Sequence, residues 1–327
     1  MKQRLVAALV VLIGPLLTLF AFLASQGAHA FPDKLIRLVV PSPAGGPPDV
    51  VVRLITDKMS AHLGQPVIVD NRAGAGGTVG ARSVLTAAPD GYTLLVGSTS
   101  TLLIAPLIYK NAGYHAGSFA PIARVADSAE VLSVHPSVPV KSVADLVALA
   151  KSKPGVLNFG SAGIGTLPHI EGELFKARAQ IDINHVPYRG GALALTGLIG
   201  GQIEILFTVL TQTLPNMRDG RVRGLAITSA ARSKLAPELP TMVESGFDQF
   251  IVTSTTAIVA PPGVPVDIRR QLNQAVAAAL TSEEVLRALS RVGGEVRPGS
   301  PEELAAYLAE EQQRWTRIIE VTRILAE

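Results

Sequence analysis

Short turns rich in glycine and hydroxyl side chains recur along the chain, each directly after a run of apolar, often β-branched residues. They lie at 41–49, 71–78, 97–101, 160–166 and 188–192. Glycine lets the backbone approach a ligand closely, and a helix that starts after such a turn offers unpaired N–H groups and a partial positive charge. A single turn of this kind is also an ordinary tight connection. Their recurrence therefore predicts a cleft that binds a carboxylate through amides and hydroxyls.

A dinucleotide-binding enzyme is the main alternative, because the glycines within 74–80 are spaced as in a dinucleotide turn. The acidic residue expected at the end of the next strand is missing, since that strand ends in Gly97 and Ser98. A hydrolase is not supported either: the sequence has no Gly-x-Ser-x-Gly elbow, and its six histidines show no identifiable acidic or nucleophilic partner. We therefore expect no enzymatic activity, no catalytic residue and no cofactor.

One histidine and two glutamates lie close together between positions 169 and 173. His169 and Glu171 are two residues apart, so a helix places them on different faces, whereas a metal site needs its ligands together. We expect no metal site, and we interpret His169 as a residue that faces the cleft or caps the helix.

The elements that must position these turns alternate along the chain. Short β-branched runs alternate with helical runs, which is typical of βα units on a largely parallel sheet. The helix predicted at 49–63 ends at Gly64, as helices often do. Further predicted helices lie at 143–151, 266–280, 282–292 and 301–326. The predicted strands are 36–40, 67–70, 93–97, 131–135, 157–160, 183–186, 203–208, 224–228 and 252–259.

The chain is too long for one core, so we expect two lobes. The helices of the C-terminal third follow one another with no strand between them, and they must pack back on an earlier lobe. This places the second lobe as an insertion in the first, with crossings near 126–131 and 250–255. The expected first lobe is 31–127 plus 254–327, and the expected second lobe is 128–253.

The N-terminal segment reads as a signal peptide. Lys2 and Arg4 precede an apolar run over 5–24, and the segment ends with Ala-His-Ala at 28–30. A basic start, an apolar centre and small residues before the cleavage point predict export and cleavage after residue 30. The alternative is a single transmembrane anchor, but a glycine and a proline interrupt the run.

The charge and the cysteine content of the sequence limit the cellular compartment and the binding partners that we expect for the protein. The chain has 29 basic side chains, two of which lie in the leader, against 26 acidic ones, so the exported part is nearly neutral. No stretch clusters basic and aromatic residues as a nucleic-acid surface would, and we exclude nucleic acid as a partner. The sequence has no cysteine, hence no disulfide and no lipid-anchor site. A free exported protein of this kind is expected in a Gram-negative periplasm.

Seven motifs carry a resemblance to a known family. They lie, in order, at 34–49, 64–80, 88–94, 135–137, 185–192, 200–202 and 239–246, and they include KLIRLVVP, GQPVIVDNR, APDGYTL and HVPYRGGA. With these motifs the chain resembles the Bug-type receptors of tripartite tricarboxylate transporters over essentially its whole exported length.

The resemblance implies a type II periplasmic-binding-protein fold: two α/β lobes with mixed sheets, joined by two crossing segments, with the ligand cleft between them. It also implies a small carboxylate ligand, held partly through water, and membrane permease subunits as partners. For Arg189 two interpretations stay open, a bidentate partner of the carboxylate or a solvated loop arginine. The implied ligand-binding residues are Pro43, Ala44, Gly45, Gly46, Asp49, Ser98, Thr99, Ser100, Ser161, Gly163, Thr166, His169, Arg189 and Thr208.

Two positions depart from the family pattern. Thr208 follows Phe207 where relatives often have aspartate, and Thr255 follows Ser254 where they often have tryptophan. Loss of an acidic group removes a partner for a ligand ammonium, so we expect a ligand without an amino group. We expect a monomer whose lobes close because the ligand binds the closed form better. The same fold can also serve a periplasmic sensor, an alternative that the sequence leaves open.

Overall fold

The structure, a computed structural model, describes residues 31–322 and residue 324. The predicted signal peptide at 1–30, its cleavage point and most of the last turn of the predicted C-terminal helix lie outside the described residues. Within the described part of the chain, no helix has the length and apolar content needed to cross a membrane.

Strands and helices alternate along most of the described chain, as predicted. The strands are β1 (Ile36–Val40), β2 (Val67–Asn71), β3 (Thr93–Ser98), β4 (Ala120–Val134), β5 (Asn158–Ser161), β6 (Asn184–Pro187), β7 (Ile205–Val209), β8 (Arg223–Ile227), β9 (Thr253–Ala260) and β10 (Gly294–Val296). The helices are α1 (Pro47–Leu63), α2 (Thr78–Leu85), α3 (Ala105–Ile108), α4 (Val143–Ser152), α5 (Leu167–Ala179), α6 (Gly191–Ile199), α7 (Leu210–Arg218), α8 (Val266–Thr281), α9 (Glu283–Arg291) and α10 (Pro301–Thr322). A π-helical turn, Thr99–Ile104, joins β3 to α3.

Two sheets share the long strand β4. The first has the order β2-β1-β3-β9-β4-β10, and the second has the order β6-β5-β7-β4-β8. In the first sheet the parallel neighbours β2 and β3 flank β1, and in the second the parallel neighbours β6 and β7 flank β5. An antiparallel strand then lies beside each set, β9 next to β3 and β4 next to β7. Each half thus repeats the strand order of a type II periplasmic-binding-protein lobe, as expected for the predicted fold class.

Strand β4 passes from one sheet to the other in the middle of its length. Its residues 120–129 pair with β9, and its residues 130–134 pair with β7. We call residues 31–129 and 253–322 the first lobe and residues 130–252 the second lobe. The sequence-based bounds, at 127/128 and 253/254, lie near these changes of pairing, and the division into separate folding units stays a prediction.

Strand β4 is longer than the sequence predicts. The predicted strand covered only 131–135, because Arg124, Asp127 and Glu130 interrupt the apolar pattern upstream. Asp127 and Glu130 are nevertheless buried, at 6% and 2% exposure, because the strand lies between neighbours in both sheets. Burial of charged groups in a central strand is rare, so hydrophobic periodicity could not reveal it.

The C-terminal helices return to earlier parts of the chain, as expected, but the expectation of no strand between them is wrong, because β10 lies between α9 and α10 and pairs with β4. Helix α8 packs against α1 on the first sheet, where Leu272 and Val276 join the core formed by Val52 and Ile55. Helix α10 packs against both β4 and α5, so it contacts both lobes. Its buried Trp315 belongs to the same apolar cluster as residues of both sheets. The C-terminal helix therefore covers the junction of the lobes.

Candidate ligand-binding cleft

The turns after the parallel strands of the two sheets face each other and are in contact. Gln212 Nε2 donates to the carbonyl of Gly45 at 3.3 Å, and Leu167 N–H donates to Ser100 Oγ at 2.9 Å. A third bridge runs from the Tyr109 hydroxyl to the carbonyl of Ile164, at 2.8 Å. Ligands of α/β sheets bind at the carboxyl ends of parallel strands. The space between these turns is therefore the candidate site.

The turn after β1 uses its own amides. Gly45 N–H donates to Asp49 Oδ2 at 2.9 Å, and Gly46 N–H donates to the carbonyl of Pro43 at 3.1 Å. Helix α1 then begins with Pro47 and Pro48, which have no N–H group. The expectation of unpaired amides here is therefore wrong for these four residues. The turn presents to the second lobe the carbonyl of Gly45, a residue held at φ +79°, where glycine is favoured.

Asp49 fixes the conformation of this turn by accepting hydrogen bonds. It is 2% exposed and accepts hydrogen bonds from Gly45 N–H, from Arg53 Nε at 3.0 Å and from Asn71 Nδ2 at 2.9 Å. Burial by itself raises the pKa of Asp49, but these hydrogen bonds outweigh burial and hold the pKa below its ordinary value. An ionised carboxylate with this many donors positions the turn and has little left to offer a ligand.

The hydroxyls after β3 tie the first lobe to its surroundings. Ser98 Oγ accepts from Thr101 N–H at 3.3 Å and caps the π-helical turn. Thr99 Oγ1 donates to the carbonyl of Thr253 at 3.2 Å and accepts from Thr255 N–H at 2.9 Å, so it fixes the turn to the start of β9. Of the three predicted ligand-binding residues here, Ser100 is the one whose hydroxyl reaches the opposite lobe.

The turn after β5 is held by its own hydrogen bonds. Ser161 Oγ lies 2.7 Å from His185 Nε2 and accepts from Gly163 N–H at 3.0 Å. Thr166 Oγ1 donates to the carbonyl of Gly163 at 2.7 Å, and Gly165 N–H donates to His169 Nδ1 at 3.2 Å. The side chains of these three predicted site residues, Ser161, Thr166 and His169, thus stabilise the turn in which Gly163 lies.

The two histidines behind this turn are neutral. The rings of His169 and His185 stack with centroids 4.1 Å apart. Burial lowers the pKa of His169 to about 4 and that of His185 to about 3. Because Nδ1 of His169 accepts a hydrogen bond, its ring proton is on Nε2. The pair therefore adds no positive charge to the cleft, and among the described residues no cluster able to hold a metal ion is found.

Arg189 and Thr208 are the polar predicted site residues whose side chains make no hydrogen bond to other described residues. Arg189 is exposed in the turn after β6, and within residues 31–322 its guanidinium has no hydrogen bond or ion pair. The neighbouring Gly190 faces Pro43 of the first lobe, which lies 3.8 Å from where a Cβ would stand. Thr208 is 3% exposed, and its Oγ1 lies 3.9 Å from the Cβ position of Gly191 at the start of α6.

Two cleft residues were missed by the sequence analysis. Gln212 lies in the first turn of α7, after β7, in a connection without glycine, so the turn pattern did not reveal it. Ser42 lies inside the predicted turn at 41–49, but the residues predicted to bind there were Pro43, Ala44, Gly45, Gly46 and Asp49. Ser42 Oγ and Gln212 Oε1 are both buried and have no hydrogen-bond partner among the described residues. A crevice of about 90 Å³ lies beside Gln212, between α1 and the end of β7.

Comparison with known proteins identifies the family. Tripartite tricarboxylate transporter family receptors match residues 51–324. Protein BugT of Bordetella pertussis is 34% identical over 316 residues, covering 96% of this chain and 97% of its own. Among solved structures, Rhodopseudomonas palustris Rpa4515 with adipate is 34% identical with a TM-score of 0.86, covering 90% of this chain and 99% of its own.

A second solved structure agrees with the first. MatC of Rhodopseudomonas palustris with bound malate is 34% identical with a TM-score of 0.84, covering 88% of this chain and 100% of its own. Both likenesses extend over both lobes and confirm the predicted fold and the predicted resemblance. On the family match and these relatives, the chain belongs to the receptors of the tripartite tricarboxylate transporter family.

Proposed function

We propose that this protein is a periplasmic receptor that captures a small carboxylate lacking an amino group and presents it to the permease subunits of a tripartite transporter. The observation that carries the proposal is the set of facing turns, bridged by Gln212 and Ser100, with the unpaired Arg189 at their edge. A guanidinium without a partner beside such turns suits a carboxylate, which it binds through two parallel hydrogen bonds.

The bound ligands of the relatives support the same class. Rpa4515 was solved with adipate and MatC with malate, both dicarboxylates without an amino group. In this chain, Thr208 stands where an aspartate is common in the family, and Asp49 is fully engaged with the turn after β1. Neither offers an ionised oxygen to an ammonium group, which supports a ligand that has none.

The proposed mechanism is closure without chemistry. The ligand contacts turns of both lobes, and it favours the closed form by its differential affinity for the two forms. Direct bridges such as that of Tyr109 to Ile164 add to closure. The predicted ligand-binding residues are part of this proposal, with Asp49, Ser161, Thr166 and His169 acting as residues that hold the turns in place. Export by cleavage after residue 30, a monomeric state and the absence of enzymatic activity are also part of it.

A calorimetric titration series tests the proposal. The purified protein is titrated with succinate, adipate, malate, citrate and benzoate, and with aspartate and glutamate as amino-bearing controls. We expect saturable binding of at least one carboxylate and none of the amino acids. A ligand at 100 times its Kd should also raise the free energy of unfolding by about 2.7 kcal/mol. Tighter binding of an amino acid than of every simple carboxylate would contradict the proposed ligand class.

A further inference from the structure

Gln212 carries a buried hydrogen-bond acceptor that the fold leaves unused. Its Oε1 is shielded from solvent and has no partner among the described residues. It lies 3.4 Å from the Cβ position of Gly191, and Thr208 Oγ1 lies 3.9 Å from that same position. A buried polar atom without a partner costs free energy. A hydrogen-bond donor supplied by a bound ligand would satisfy this acceptor and remove that cost.

The orientation of the Gln212 amide is fixed by its contact with the first lobe. Its nitrogen faces the carbonyl of Gly45 at 3.3 Å. A backbone carbonyl only accepts hydrogen bonds, so the nitrogen must be the atom on that side. The oxygen then points to the start of α6, and a flip of the amide would set two acceptors against each other. The unused group is an acceptor, and it requires a donor from the ligand.

The chemistry around this acceptor selects the donor. A carboxylate oxygen is itself an acceptor and is repelled. An ammonium group needs an anionic partner in a site of low polarity. The side chain of Thr208, beside the same Cβ position, carries a hydroxyl, and Arg189 adds positive charge at the edge. A hydroxyl donates without bringing charge, and it leaves the carboxylate group of the same ligand free for Arg189.

We infer that Gln212 is a specificity-determining residue and that this receptor prefers hydroxycarboxylates to the same carboxylates without the hydroxyl group. The inference rests on the proposed function, because it assumes that the facing turns bind a carboxylate. It specifies a part of the ligand other than its carboxylate groups, namely a hydroxyl. A site built to hydrogen-bond a hydroxyl discriminates strongly against an analogue that lacks it, since the buried acceptor is then left unpaired.

Matched ligand pairs test the inference. Titration calorimetry compares malate with succinate, citrate with tricarballylate, and mandelate with phenylacetate on the purified protein. We expect the hydroxylated member of the binding pair to bind at least tenfold tighter. In Gln212→Leu this ratio should fall to about one: loss of the bridge to Gly45 weakens both members of a pair alike, and loss of the acceptor weakens the hydroxylated member further. Gln312→Leu is the matched control, because Gln312 also has a buried unpartnered Oε1 but lies on α10.

A second variant guards against a folding defect in the first. Gly191→Ala places a methyl group beside Oε1 at the start of a helix, where alanine is tolerated, and it should also reduce the ratio while succinate binding changes little. Equal affinity within every pair in the unmodified protein, or a ratio that survives in Gln212→Leu, overturns the inference and leaves the proposed function intact. Preference for aspartate over malate overturns the inferred hydroxyl. Binding of no carboxylate overturns both proposals.

Discussion

Two buried carboxyl groups lie three residues apart on strand β4, and the two lobes treat them differently. Asp127, in the first lobe, accepts hydrogen bonds from Arg124 at 2.6 and 3.0 Å, from Arg297 Nε at 2.9 Å and from Thr255 Oγ1 at 2.9 Å. Glu130, in the second lobe, is 2% exposed, and its Oε2 has no partner among the described residues. One strand therefore carries a fully paired carboxylate and an unpaired carboxyl group.

Access to solvent explains the difference. The arginines beside Asp127 line a cavity of about 330 Å³ that also contains Tyr307. Solvent there lowers the cost of keeping three charged groups together. Burial raises the pKa of Glu130 to about 8. Burial, with the charge of Glu130 as a smaller cause, also raises the pKa of Glu171 on α5 well above its ordinary value. Neither carboxyl group has a hydrogen-bond donor among the described residues, and burial keeps both neutral by protonation.

The largest expected effect comes from removing the ion pairs of Asp127. Asp127→Asn removes the charge that holds Arg124 and Arg297, and urea denaturation should show a loss of about 2–3 kcal/mol in the free energy of unfolding. The value lies below the range for a fully buried pair because the Arg297 side chain is 47% exposed. Asp219→Asn is the matched control: its ion pair with Arg221 is exposed, and we expect a loss below about 0.5 kcal/mol. Equal losses would show that burial does not distinguish the two pairs.

The unpaired Glu130 should make the stability of the protein depend on pH in the alkaline range. The native protein keeps a proton on Glu130 between pH 4.5, the ordinary value, and about 8, whereas the unfolded chain does not. This group therefore lowers stability as pH rises through that window. Glu130→Gln mimics the neutral form and should be more stable than the unmodified protein at pH 9 by about 1–2 kcal/mol in urea denaturation. Glu320→Gln, at an exposed position on α10, should show no such gain. A loss of stability in Glu130→Gln at pH 9 would mean that the carboxyl has an ionic partner.

The ligand carboxylate extends the comparison, because it should be paired in the manner of Asp127. Arg189→Gln removes the unpaired guanidinium at the edge of the cleft, and titration calorimetry should show about tenfold weaker binding of the carboxylate. Arg178→Gln, at an exposed position on the last turn of α5, makes the same change of charge away from the cleft and should leave Kd unchanged. An equal effect of both changes would indicate a general charge effect.

The smallest expected effect is at mildly acidic pH, where the contributions of the two histidines and of Glu130 to the free energy of unfolding nearly cancel. The pKa values of His169 and His185 are lowered by burial, so their contribution to stability is present above pH 6.5 and is lost as pH falls towards 4. The raised pKa of Glu130 acts in the opposite direction between pH 4.5 and about 8. Between pH 6.5 and 5.5 we expect the free energy of unfolding to change by less than about 1 kcal/mol. In Glu130→Gln the free energy of unfolding should fall more between pH 6.5 and 5.5 than it does in the unmodified protein. The same change in both proteins would show that Glu130 does not offset the histidines.

The sequence predicted the architecture of the cleft better than the use of its side chains. The strand-to-helix turns were found because glycine and hydroxyl residues must cluster where chains turn tightly. The hydroxyls of Ser161 and Thr99 looked equally suited to a ligand, yet both are bonded to other parts of the fold. Which partner a hydroxyl takes depends on residues distant in sequence, such as His185 and Thr253, and no local pattern carries that information. Gln212 escaped detection for the same reason, since its role comes from contact with Gly45 across the lobes.

The continuous pairing around β4 has a mechanical consequence. Val252 N–H donates to the carbonyl of Thr228 at 2.8 Å, and Thr228 N–H donates to the carbonyl of Glu130 at 3.0 Å, so the second crossing is hydrogen-bonded to the first. The two crossings also pair directly, Ser128 with Ser254 and Ala129 with Thr253. A two-stranded ribbon of this kind twists more readily than it slides, because sliding would break its hydrogen bonds. For the proposed closure, this pairing predicts a rotation about one axis that returns the facing turns to the same alignment each time the lobes close. We then expect Gln212 to contact Gly45 in the same geometry in each closed form, so that the proposed selectivity would not depend on loop conformations.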